Sequence, residues 1–139
     1  MPTSRKDTAR CMQIALTISS DIQPLQNLAV LRRIKALAGE QVKTEWAIRE
    51  NRSKLMVIND KLVDAKQERH CIGDRVSLAD IVLVPQLYSA KRFGIDIETE
   101  FPKLFRIAKS LEQLEAFQKA HAHAQPECPE ELKSAGLFF

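Results

Sequence analysis

The run Leu78-Ala79-Asp80-Ile81-Val82-Leu83-Val84 constrains this chain more than any other stretch. On a helix its apolar side chains point in every direction around the axis, so the helix should run through the centre of a packed domain rather than along its surface. Its start is written just upstream. Ser77 followed three positions later by Asp80 has the spacing of a capping box, with a shorter acid in place of glutamate, and Val76 and Ile81 occupy the staple positions. Pro85 is expected to bend the helix by freeing the carbonyl of Ile81. The cap can satisfy Asp80, a buried acid, without any chemistry.

A central helix needs others around it. The chain has only 4 glycines and no sustained alternation of apolar and polar residues bounded by turns, so strands are not expected. Cys11, Ile14, Ala15 and Ile18 fall on one helical stripe. Ser19-Ser20-Asp21 is then expected to cap a second helix with Pro24 in its first turn, where a missing N–H costs nothing. That helix places Val30, Leu31, Ile34, Leu37 and Ala38 on one face and stops near Gly39. A longer helix runs from Glu40 to about Lys66, with Ile48, Leu55, Ile58, Leu62 and Ala65 on one face. Asp96 to Glu100 reads as an acidic linker. Phe101-Pro102 opens a helix with Leu104, Ile107, Ala108 and Leu111 on one stripe, and Leu114 and Phe117 continue the packing. The fold class is therefore all-α: one helical domain over 1–139, with 124–139 as an irregular tail whose closing Leu137-Phe138-Phe139 is either pinned to the body or exposed.

Composition narrows the function. The 21 basic and 18 acidic residues are mixed along the chain, giving +3, so no strong field points at nucleic acid or a membrane. No apolar run approaches the ~20 residues that span a bilayer, and no signal-like stretch comes after the first residues, so a cytoplasmic protein is expected. Cys11, Cys71 and Cys128 are odd in number and far apart, which fits free thiols in a reducing compartment. His121, His123 and Cys128 are a poor metal set, because residues two apart on a helix diverge by about 200°. His70-Cys71 lacks an orienting third group for nucleophilic catalysis. No metal is expected.

The segment Ile22-Gln-Pro-Leu-Gln-Asn-Leu28, together with Gly73-Asp74, Ser77-Leu-Ala-Asp80, Leu83-Val-Pro-Gln86, Arg92-Phe93, Leu114-Glu-Ala-Phe117 and the tail Gln125-Pro126 to Pro129, resembles the C-terminal helical domain of zeta-class glutathione transferases, the family that includes maleylacetoacetate isomerase. The resemblance covers about Asp7 to Leu132. Its Gly-Asp element and capping box point only to the superfamily; the Ile-Gln-Pro-Leu-Gln-Asn run points to the zeta class.

That resemblance implies an active site between this helical domain and a thioredoxin-like N-terminal domain, whose Ser-Ser-Cys motif activates the glutathione thiol. The motif is not found here, and Cys11, inside a helix stripe, cannot stand in for it. By the same resemblance, Gln23 is the amide that contacts glutathione from the helical side, with Asn27, Leu28 and Ala29 lining the same edge; Ala29 departs from a family serine. Arg92 matches an arginine that holds a substrate carboxylate, a task suited to a forked, permanently charged donor. No catalytic residue is assigned within the chain, and alone it is expected to be nearly inactive. It should form a homodimer or associate with a thioredoxin-like domain or other protein. A rival reading is a non-catalytic interaction module, with the stripe Cys11, Ile14, Ala15 and Ile18 as its docking surface.

Overall fold

The computed structural model describes residues 1–64 and 66–133. Among these are seven α-helices and no strand. Helix α1 (Arg5–Leu16) is capped by Ser4, whose hydroxyl accepts from the Asp7 amide. It passes without a break into a wider π-helical turn, Thr17–Ile22, and then a 3₁₀ turn, Gln23–Gln26. Ser19-Ser20-Asp21 therefore caps nothing, contrary to expectation, because the backbone stays helical through it. The cap of the next helix is Asn27, whose Oδ1 accepts from the Ala29 amide at 2.9 Å. Pro24 does lie in a first turn, that of the 3₁₀ element.

Helix α2 (Leu28–Val57) is interrupted at Gly39, where φ 90°, ψ 174° is open essentially to glycine alone. Glu40 spans the break by pairing with Lys35 on one side, at 2.7 Å, and Lys43 on the other. Those two ammonium groups, Lys35 first, hold its carboxyl down at about 2. The second half of α2 ends in another π-helical turn, Ile58–Leu62, and Ala65 lies outside the described residues.

Helix α3 (Leu78–Arg92) is the central one, packing against α1, α2, α5 (Pro102–Leu111) and α4 (Ile97–Glu100). Its buried residues Ala79, Leu83, Val84, Leu87 and Ala90 meet Ile14, Ile18, Leu55, Ile58, Leu104, Ile107 and Leu111 in one core. Burial is not complete around the axis: Leu78 and Ile81 remain exposed. Pro85 sits inside α3 without ending it. The capping box forms as expected. The Asp80 carboxylate accepts from the Ser77 amide at 2.8 Å, the Ser77 hydroxyl at 2.7 Å and the Cys71 amide at 2.6 Å, so it also closes the loop that precedes α3.

One further expectation changes. Asp96 to Glu100 is the short helix α4 rather than a linker, with Asp96 accepting from the Thr99 amide. Helix α5 starts at Pro102 and buries the whole expected stripe, yet its own N-cap, Phe101, has no side chain that can cap. The cap comes from far away: Asn59 Oδ1 accepts from the amides of Lys103 (3.1 Å) and Leu104 (3.4 Å). Helices α6 (Glu115–Ala120) and α7 (Glu130–Lys133) complete the described chain. The closing Leu137-Phe138-Phe139 lies outside the described residues.

Candidate functional site

The turn carrying Gln23 has no buried residue of its own. Its internal hydrogen bond, Asn27 N–H to the Pro24 carbonyl, is long at 3.4 Å, as the tight 3₁₀ geometry leads one to expect. It is held from behind by other elements. The Trp46 indole on α2 donates to the Leu25 carbonyl at 3.0 Å. The Gln26 side chain reaches inward to two buried amides, Asn51 of α2 and Gln86 of α3. Gln23, Asn27, Leu28 and Ala29 are all exposed, Leu28 by 61%. The structure thus leaves four of the sequence-expected residues open to solvent, within one short stretch where the 3₁₀ turn meets α2. Two of their polar groups are already engaged, since Asn27 Oδ1 accepts from Ala29 N–H. Among the described residues no hydrogen bond engages the Gln23 side chain, which leaves its amide for a ligand.

Arg92 is elsewhere. It ends α3, six residues beyond Gln86, which is about 9 Å along the axis and well round the helix from it. Its guanidinium sits over the Tyr88 ring, 5.9 Å from the centroid. Among the described residues no carboxylate lies within ion-pair distance of it, so the charge remains available to an incoming anion. No hydrogen bond among the described residues joins Arg92 to the 23–29 turn.

Tyr88 also meets the tail. Its hydroxyl lies 2.9 Å from His123 Nε2, and the His121 and His123 rings stand edge-on to it and to each other. Burial, then the neighbouring His123, lowers the pKa of His121. The described residues contain no cluster of three or more histidine, cysteine or acidic side chains placed to hold a metal. Cys71 is no nucleophile: burial first, then the Asp80 charge, pushes its thiol well above the ordinary range. The stripe Cys11, Ile14, Ala15 and Ile18, expected as an exposed docking face, is 0–3% exposed, because α3 and the Ile58–Leu62 turn cover it. Among the apolar groups that do reach solvent are Leu16, Leu28, Leu37 (74%), Val42 and Ile81. Of the face assigned to the first half of α2, only Leu31 is buried.

Sequence reasoning missed Asn51, and the signal was there. The position lies on the same stripe as Ile48, Leu55 and Ile58, so an amide there is a polar group on an apolar face.

The family model described as "Glutathione S-transferase, C-terminal domain" matches residues 11–120. The chain belongs to that family. Within it, the chain is 38% identical over 132 residues to a probable maleylacetoacetate isomerase 2 of Drosophila melanogaster, covering 95% of this chain and 56% of the relative. It is 36% identical over 134 residues to the maleylacetoacetate isomerase of Mus musculus, covering 96% and 59%. The solved maleylacetoacetate isomerase of Anaeromyxobacter dehalogenans 2CP-1, with dicarboxyethyl glutathione and citrate bound in its active site, superposes with a TM-score of 0.87 at 35% identity, covering 95% of this chain and 59% of that one. The chain thus spans a little over half the length of the relatives it matches. It is the helical domain of the zeta-type fold, and the thioredoxin-like domain is not among these 139 residues. No helix among the described residues is long and apolar enough to cross a membrane.

Proposed function

We propose that this chain supplies the helical wall of a glutathione-dependent isomerase that converts maleylacetoacetate to fumarylacetoacetate in tyrosine and phenylalanine catabolism. The observation that carries the reading is the exposed Gln23–Ala29 edge, held in place from behind, in a chain 36–38% identical to isomerases of that name. The edge fits a peptide ligand: the Gln23 amide can both donate and accept, and Leu28 offers an apolar neighbour to the peptide's methylene groups. Gln23 and Asn27 hold glutathione, with Leu28 and Ala29 shaping that side. Glutathione, when bound, supplies the sulfur nucleophile that permits rotation about the substrate's cis double bond. Arg92 orients a substrate carboxylate through its paired donors.

By the family resemblance the Ser-Ser-Cys motif that activates the thiol belongs to a thioredoxin-like domain, and that motif is not among these 139 residues. The lone chain therefore turns over little or no substrate. A thioredoxin-like domain, or a second copy, covers the apolar groups at Leu28, Leu37 and Ile81, and the assembly works in the cytoplasm. Leu37, 74% exposed on an otherwise apolar face, also suits a non-catalytic interaction module.

The test compares the chain alone with the chain fused behind the N-terminal domain of the mouse relative, assaying isomerisation and titrating glutathione by calorimetry. Activity in the fusion with none in the chain alone is expected. Turnover by the lone chain would remove the inactive-half reading, and an inactive but folded fusion would favour the interaction module. In the active fusion, Arg92→Lys should raise KM for the acidic substrate several-fold with kcat less affected, because a lysine cannot make the bidentate contact. An unchanged KM removes Arg92 from the site.

A further inference from the structure

The three amides behind the Gln23 turn form a closed ring. Gln26 Nε2 donates to Gln86 Oε1 at 2.9 Å, Gln86 Nε2 donates to Asn51 Oδ1 at 2.5 Å, and Asn51 Nδ2 donates to Gln26 Oε1 at 2.8 Å. Asn51 Nδ2 also donates to the Ala47 carbonyl one turn back on its own helix, at 2.8 Å. Every amide oxygen accepts and every NH₂ donates. Asn51 and Gln86 are 0% and 1% exposed.

Such a ring is a poor way to gain stability. Satisfied buried amides roughly recover what their desolvation costs, and apolar side chains of the same volume would pack the space as well. What the ring supplies is geometry, since the Ala47 carbonyl fixes which way the Asn51 amide faces and the other two amides must follow it. The need for geometry is local: the turn buries no residue, and the hydrogen bond that closes it, Asn27 N–H to the Pro24 carbonyl, is long at 3.4 Å. Together with the Trp46 contact to the Leu25 carbonyl, the ring ties this turn by side-chain hydrogen bonds to α2 and α3.

We propose that Asn51 and Gln86, acting through Gln26, are positioning residues that hold the Gln23–Leu28 turn ready to receive its ligand. Neither touches the exposed edge. Their effect on glutathione rests on the function proposed above; their effect on the turn does not.

The experiment uses the 139-residue chain and the near-isosteric variants Asn51→Leu, Gln86→Met and both together. Two readouts are taken by NMR: amide hydrogen exchange at residues 23–29 compared with α5, and shifts of the Gln23 and Asn27 amides on titration with glutathione. Exchange in the turn should rise about tenfold or more, the scale of one lost buried hydrogen bond, while α5 amides keep their protection. Glutathione affinity should fall by a similar factor. The double variant should be no worse than either single one, because the ring is already open. An equal rise in α5 would make the effect one of global stability and overturn the proposal, as would additive losses or an unchanged turn. If the parent chain shows no glutathione shift at Gln23, the ligand assignment fails while the exchange data still decide whether the ring positions the turn.

Discussion

Replacing Asp80 with asparagine should be among the most damaging single-atom changes in this chain. The carboxylate is fully buried and accepts three hydrogen bonds, two of them from backbone amides in the loop before α3. Asparagine keeps one acceptor and turns the other into a donor that faces donors. Bonds to a charged acceptor are worth about 1.5–3 kcal/mol each, and an orphaned buried amide costs about as much, so losing one outright and weakening the rest comes to roughly 3 kcal/mol. Against a typical total of about 5–15 kcal/mol, that is a large fraction. With a urea slope of about 2 kcal/mol/M, the unfolding midpoint should drop by about 1.5 M. A second readout locates the damage. Cys71 is closed to solvent by the same loop, so its reaction with an aromatic disulfide under native conditions should speed up by more than that of Cys11. A midpoint shift below about 0.5 M, or equal acceleration at both thiols, would refute the assignment of Asp80 as the clasp of that loop.

Other substitutions test other parts. Gly39→Ala meets no atom within 4 Å, so its cost is backbone strain alone; a loss of about 1–3 kcal/mol in chemical denaturation is expected, and no loss would mean that the helix break is not fixed there. The lowered pKa of His121 means the unfolded chain binds its proton more readily than the folded one. The stability it contributes is therefore complete above the ordinary value of 6.5 and declines as the pH falls below it. Between pH 7.5 and 5.5 the melting temperature should fall further in the parent than in His121→Phe, and parallel curves would count against this. Asn59→Ala, which uncaps α5 from a distance, should cost about 1–2 kcal/mol in urea denaturation.

Several features were legible because their causes are local. The capping box at Ser77 and Asp80 involves residues three apart, the Gly39 break a single residue, and the α5 stripe a repeat within ten residues. The same locality explains the errors. Ser19-Ser20-Asp21 has the composition of a cap, but the packing of Ile18 and Ile22 into the core keeps the backbone helical there. The Cys11 stripe was read as an exposed face because a periodic pattern shows that a face is apolar without showing what covers it.

Residue order was enough to establish that the chain is helical and where its central helix begins, and the family resemblance put Gln23, Asn27, Leu28 and Ala29 forward as one edge. Packing settled what stands behind that edge. Gln26 and Gln86 are 60 residues apart, and Asn59 caps α5 from 44 residues away. Packing also left Leu37 in solvent while burying the Cys11 stripe. Side-chain spacing encodes a helix's faces, whereas which faces meet depends on how all the helices pack at once. The partners of a buried amide are chosen at that second step.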